Sequence, residues 1–174
     1  MTSTQGPALA VADVNGDGLD DVFFFSARGY KNALFVQQSN GTFAKMHQPN
    51  LDADSTCEDV DAAFADINND RFPDLLIASG GNEFFGTSPY TAPRAYLNDG
   101  KGNFRKKNDA FINVFLTASC IAVNDFDKNG TADIFIGARC EPFAYGKTPK
   151  SFLLKNDGTG KFTDVTATAS PELQ

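Results

Sequence analysis

The sequence predicts an all-β fold built of β-propeller blades: three four-stranded antiparallel sheets forming a segment of a larger propeller. Three observations carry this prediction. A nine-residue acidic loop recurs three times in 174 residues. A glycine-rich turn recurs on the same beat. Short apolar runs, rich in β-branched and aromatic residues, flank both and read as strands, and no amphipathic run of useful helical length lies between them.

The acidic loops come first. They place Asp13, Asn15, Asp17 and Asp21, then Asp66, Asn68, Asp70 and Asp74, then Asp125, Asp127, Asn129 and Asp133, at loop positions 1, 3, 5 and 9. Position 1 recurs after 53 and then 59 residues. The second signature is Asn40-Gly41 before Phe43, Asp99-Gly100 before Phe104 and Asp157-Gly158 before Phe162. Asn-Gly and Asp-Gly between apolar runs mark hairpins.

Each repeat therefore holds four strands. Strand A is small and apolar, at 8–12, 62–65 and 120–123. Strand B is apolar throughout, at 22–25, 75–78 and 134–136, as expected when both faces are covered. Strand C lies at 33–36, 95–97 and 152–154, and strand D carries Phe43, Phe104 and Phe162. The blades span 8–48, 58–108 and 117–166. Four antiparallel strands repeated every 50–60 residues are the signature of propeller blades, with strand A lining the central channel.

Alternating short Asp and Asn side chains at positions 1, 3 and 5 point into one concavity. The carbonyl at position 7 (Leu19, Phe72 or Thr131) adds an oxygen, and the Asp at position 9 closes the site. This is a cage for Ca²⁺, which takes 6–8 oxygen ligands, whereas Mg²⁺ keeps several waters. An EF-hand is excluded, since it needs Glu at position 12 and helical flanks, and position 12 is Phe24, Ile77 or Ile136. Arg71 stands where the other two loops have glycine, and Pro73 stiffens the exit, so the second of the three sites is expected to be the weakest.

These loops, each followed by a strand, resemble the FG-GAP/VCBS repeats of integrin α-subunit propellers and many bacterial exported proteins. The stretches 58–63, 78–84 and 96–104 look more narrowly like the ASPIC/UnbV-associated (cartilage-acidic-protein-like) VCBS proteins. The resemblance spans about 8–166. It implies a Ca²⁺-stabilised propeller, commonly of seven blades, working outside the cytoplasm, with the metal ligands at the loop positions named above.

Three blades do not close a ring, since propellers have about four to eight. Either the chain is a segment of a longer propeller, the preferred reading, or it meets the remaining blades in a second copy. The net charge of −7 falls to about −1 once three Ca²⁺ are bound, so the acidity belongs to the sites. No basic face suits nucleic acid, and no span suits membrane insertion. Extracellular-type Ca²⁺ sites stay empty in a low-calcium cytosol, so the expected location is extracellular, periplasmic or cell-surface, with a signal peptide absent from 1–7. Of three cysteines, Cys120 and Cys140 stand close enough across the third hairpin to form a bridge, or remain buried thiols.

The long B–C loops face away from the metal loops and offer a recognition surface. Tyr30, Asn82, Glu83, Arg94, Arg139 and Tyr145 are its candidate ligand-binding residues, suited to a protein or glycan at the cell surface. The expected function is a non-catalytic adhesion or ligand-binding module. The alternative is part of a calcium-dependent polysaccharide lyase or hydrolase, with Tyr145 or Lys147 as base. The single histidine, His47, sits beside strand D, and no nucleophile elbow or zinc cluster is present.

Overall fold

The computed structural model describes residues 9–144 and 146–173. Among them, three four-stranded antiparallel sheets follow one another along the chain, each with strand order equal to chain order. The first holds β1 (Leu9–Ala12), β2 (Asp21–Phe24), β3 (Ala33–Gln37) and β4 (Phe43–Met46). The second holds β5 (Asp59–Ala65), β6 (Asp74–Ser79), β7 (Arg94–Asn98) and β8 (Phe104–Lys106). The third holds β9 (Thr117–Asn124), β10 (Asp133–Cys140), β11 (Phe152–Asn156) and β12 (Phe162–Asp164). The acidic loops connect the first two strands of each sheet, and the Gly-rich turns connect the last two. Helical structure is confined to single turns such as α1 (Pro49–Asp52) and α2 (Thr166–Ala169).

The sheets stack face to face through their first strands, β1 beside β5 and β5 beside β9. This is the arrangement of successive propeller blades around an axis, with an open arc rather than a closed ring among the described residues. Two cores form. Ala10, Phe23, Phe25 and Leu34 of the first blade meet Ala62, Leu75, Ile77, Tyr96 and Phe104 of the second. On the other face, Leu76, Ala78 and Ala95 meet Ile121, Ile134, Ile136, Leu154 and Phe162 of the third. Only the middle blade is covered on both sides, which is why all six residues of β6 are buried. Each fully buried Leu, Ile or Phe contributes about 1.5–3 kcal/mol of apolar burial. Small residues on the inner strands, Ala10, Ala62 and Ala118 among them, allow the close approach near the axis.

The first three strands of the second and third blades run longer than the sequence pattern marks. β9 and β10 each span eight residues, because a bulge around Ala138 carries the pairing on to Cys140 opposite Thr117. The bulge also decides the cysteines. Cys120 lies opposite Gly137, not Cys140, and Cys57, Cys120 and Cys140 are all free thiols. Of the two readings left open by the sequence, bridge or buried thiols, the thiols remain free, and only Cys57 is buried.

Candidate metal centres and the opposite loop face

One hydrogen-bond pattern builds all three acidic loops. At position 1, Asp13 accepts from the Gly16 and Gly18 amides, both at 2.7 Å. Asp66 accepts from Asp70 at 3.1 Å and Arg71 at 2.7 Å. Asp125 accepts from Asn129 at 3.0 Å and Gly130 at 2.9 Å. At position 5, Asp17, Asp70 and Asn129 each accept from the amide two residues on, at 2.8–2.9 Å. The carboxylates are thus oriented by backbone donors and held as a group.

Position 9 has a second task. Asp21, Asp74 and Asp133 are essentially inaccessible to solvent. One oxygen of each accepts from the position-2 amide of its own loop, Val14, Ile67 or Phe126, at 3.0–3.3 Å. The other accepts from the amide that ends the third strand, Gln37, Asn98 or Asn156, at 2.8–2.9 Å. Burial pushes the Asp21 carboxyl up, against those two amides, and pushes Asp74 up to about 6. A cation bound beside them would offset that cost of keeping the charge buried.

The residues present fit a hard cation. In the third loop, oxygens of Asp125, Asp127 and Asp133 all lie within 4.8 Å of one another. In the first and second loops Asn15 and Asn68 stand in the place of Asp127 and the third carboxylate is at position 5 instead, Asp17 or Asp70, to which each Asn donates at 3.0 and 2.8 Å. Lys155 pairs with Asp127, and this ion pair holds the Asp127 carboxyl below its usual range. Of the position-7 residues, Leu19, Phe72 and Thr131, all follow directly on the turn. Arg71 has φ of +72°, the left-handed conformation that Gly18 and Gly130 adopt at the same position. The second loop therefore keeps the common hydrogen-bond pattern and carries backbone strain in place of a distorted outline.

The structure adds a contact that the sequence pattern conceals. The Asn98 carboxamide donates to the Val14 carbonyl of the preceding blade's acidic loop at 2.8 Å, and its oxygen accepts from Gly100 and Gly102. Asn156 repeats this one blade later, donating to the Ile67 carbonyl at 2.9 Å and accepting from Gly158 and Gly160. The first and second acidic loops are thereby each latched to the turn of the next blade.

On the opposite face the B–C loops touch across blade boundaries. Arg28 pairs with Glu83 and lies over the Phe84 ring, 4.7 Å from its centroid. Phe85 meets Phe143 edge-on at 5.4 Å. An open cavity of 580 Å³ is lined by Asn82, Arg139, Glu141, Phe143 and Lys147. A narrower one of 210 Å³ lies beside it under Phe85, Leu116 and Phe152. Tyr30 is 71% exposed on the first blade's loop. Tyr145 lies outside the described residues. Arg94 is a correction: it opens β7, is 4% exposed, and pairs inward with Asp59. Its side chain forms a buried polar group with Ser79 and Tyr96 between blades rather than facing a ligand.

Residues 5–77 match the family model described as FG-GAP-like repeat. The match is to the repeat itself and does not extend to the narrower ASPIC/UnbV-associated group. No curated protein sequence matches the chain. Among solved structures, the chain is similar to an Agrocybe aegerita lectin whose structure concerns specific recognition of non-reducing terminal N-acetylglucosamine. The identity is 20% and the TM-score 0.54, with 92% of this chain covered. The chain spans 37% of that lectin's length.

Proposed function

We propose that the chain is a non-catalytic ligand-binding module of propeller blades, stabilised by Ca²⁺ at its acidic loops and working at the cell surface or in another calcium-rich compartment. The observation that carries this reading is the threefold recurrence of one loop pattern, convergent in the third copy. Asp13, Asn15, Asp17 and Asp21 would hold the first ion, Asp66, Asn68, Asp70 and Asp74 the second, and Asp125, Asp127, Asn129 and Asp133 the third. The carbonyls of Leu19, Phe72 and Thr131 complete the oxygen sets. A bound ion neutralises carboxylates that the fold otherwise buries or crowds, and so stiffens the loop that the next blade grips.

The ligand surface is the B–C loop face. Asn82, Glu83, Arg139, Tyr30 and Tyr145 are its proposed residues, and its cavity combines amide, guanidinium, ammonium and aromatic groups that suit a glycan or a protein loop. The likeness to a lectin supports a glycan as the first ligand to try. Arrayed glycans ending in N-acetylglucosamine, screened with and without Ca²⁺, test this directly. Binding weakened by Arg139→Ala supports the reading, and cleavage of a glycan by the loaded protein overturns its non-catalytic part.

Removal of the ion gives the second test. A cation bound only by the folded chain stabilises it by RT ln(1 + [L]/Kd), about 2.7 kcal/mol at a hundredfold excess over Kd. EDTA should lower the melting temperature by several degrees, and an unchanged melt would count against the metal sites.

A further inference from the structure

The exposed cations of the B–C loop face are paired, with one exception. Arg28 pairs with Glu83, Lys31 with Asp52 at 2.9 Å, Lys147 with Glu141 at 3.9 Å and Lys150 with Asp164 at 3.0 Å. Arg139 is exposed, lines the 580 Å³ cavity, and has no carboxylate within ion-pair distance among the described residues. Glu141 lines the same cavity but is taken by Lys147. A chain of net charge −7 thus presents an unpaired guanidinium in a cavity.

The strand geometry sets this residue apart. Ala138 stands opposite Ala118 and Cys140 opposite Thr117, so Arg139 is the extra residue of a bulge and has no partner on β9. A bulge re-aims the side chain it carries, and bulges gather beside functional sites for that reason. Counting from the position-9 aspartate, the same place is held by Ala27 in the first blade and Gly80 in the second. The repeat itself therefore asks for no cation there.

Two aromatic rings stand beside it. Phe143 lines the cavity, is 85% exposed, and meets Phe85, itself 62% exposed, edge-on. Phe143 has φ of +62°, a backbone conformation that a bulky side chain rarely adopts. The loop holds an apolar ring in water on a strained backbone, and strain of this kind gathers at ligand clamps. Asn82 completes the set. Its carboxamide oxygen accepts from the Cys140 thiol at 3.4 Å, which leaves its NH₂ group to a ligand.

We propose that this cavity takes a sugar bearing a carboxylate, a uronic acid unit of an acidic glycan. The inference rests on the ligand-face reading above and narrows it from glycan to acidic glycan. The Arg139 guanidinium donates two parallel N–H bonds to the carboxylate, a geometry its planar fork matches. Asn82 donates to a hydroxyl, and the C–H face of the sugar lies against the Phe143 ring. The cavity has the size of a small-ligand site, about 300–1,000 Å³. A protein partner needs about 800 Å² on each side with an apolar centre, whereas the apolar surface here is two rings beside a polar hollow.

Calorimetric titration in Ca²⁺ tests this with short oligosaccharides of galacturonic acid, of mannuronic acid, and of alternating glucuronic acid and N-acetylglucosamine. Each is paired with its methyl ester, which differs in the carboxylate charge alone. At least one acid form should bind about tenfold or more tightly than its ester, the worth of one charge-assisted pair. That preference should vanish in Arg139→Gln, an exposed substitution that leaves the fold intact by circular dichroism. No acid preferred over its ester overturns the proposal. A preference that survives Arg139→Gln also overturns it, since the carboxylate then sits elsewhere, as on Ca²⁺ at the acidic loops. An aspartate-rich peptide bound as tightly as the acidic sugars shows recognition of charge alone and overturns the sugar. Neutral oligomers of N-acetylglucosamine bound as tightly as the acids sink this inference and leave the ligand-face reading standing. Failure of every sugar to bind sinks both.

Discussion

At the residue scale, position 6 of the acidic loop separates the three copies. Gly18 and Gly130 take positive φ freely, while Arg71 takes φ of +72° against its own Cβ. Left-handed backbone costs a non-glycine residue about 1–2 kcal/mol. Arg71→Gly should therefore stabilise the protein by about 1 kcal/mol, less the extra entropy of glycine in the unfolded chain, read as a rise in melting temperature. The change should also strengthen the second cation site. Asp13→Ala or Asp125→Ala should lower the Ca²⁺-loaded melting temperature more than Asp70→Ala, and equal effects would overturn that ranking. A different residue contributes to acid stability. Burial pushes the Asp54 carboxyl up, but the Lys106 ammonium at 2.7 Å and the Tyr96 hydroxyl at 2.5 Å outweigh it, leaving a net downward shift. A depressed carboxyl stabilises the fold above its unfolded value near 3.8 and loses that contribution as pH falls through its folded value. Asp54→Asn should flatten the stability profile below about pH 4, measured by thermal melts across pH.

At the scale of the elements, the turn between the third and fourth strands does more than reverse the chain. Asn156→Ala removes donors to Ile67 and Ala132 and an acceptor for Gly158 and Gly160, all of them buried or partly buried. Leaving such groups unsatisfied costs about 1–3 kcal/mol, so the variant should melt several degrees lower and bind Ca²⁺ at the second loop more weakly. Asn40→Ala, whose side chain bonds only within its own exposed turn, serves as the control. These elements also show what the sequence discloses and what it hides. The loops and turns were legible because Asp, Asn and Gly recur at fixed spacing, and β6 was legible because its interior, 75–78, is apolar at every position, as a strand buried on both faces requires. The latch was not, since Asn before Asp-Gly reads equally as ordinary turn chemistry. Arg94 was misplaced on the ligand face because a cation beside a long loop looks exposed, and only the buried Asp59 carboxylate on the neighbouring strand draws it inward. The eight-residue lengths of β9 and β10 depend on a bulge that periodicity does not announce.

At the scale of the whole molecule, the three blades are alike in outline and unequal in cover. The second is enclosed, the third shows half-buried Phe135 and Leu153, and the first shows Leu9, Val11, Phe24 and Phe43 exposed on one side. Stability in such arrays is close to a sum of repeat terms and neighbour terms, so the end blades should open first. Amide hydrogen exchange should be fastest in β1 and β4, slower in the third blade, and slowest in β6. The latch gives the array a sense of direction: the turns of the second and third blades each reach back to the acidic loop made before them. A blade leaving the ribosome therefore has its fastening point already folded behind it. Assembly runs one way along the chain, the first and second acidic loops each becoming secure only when the asparagine some eighty to ninety residues downstream arrives.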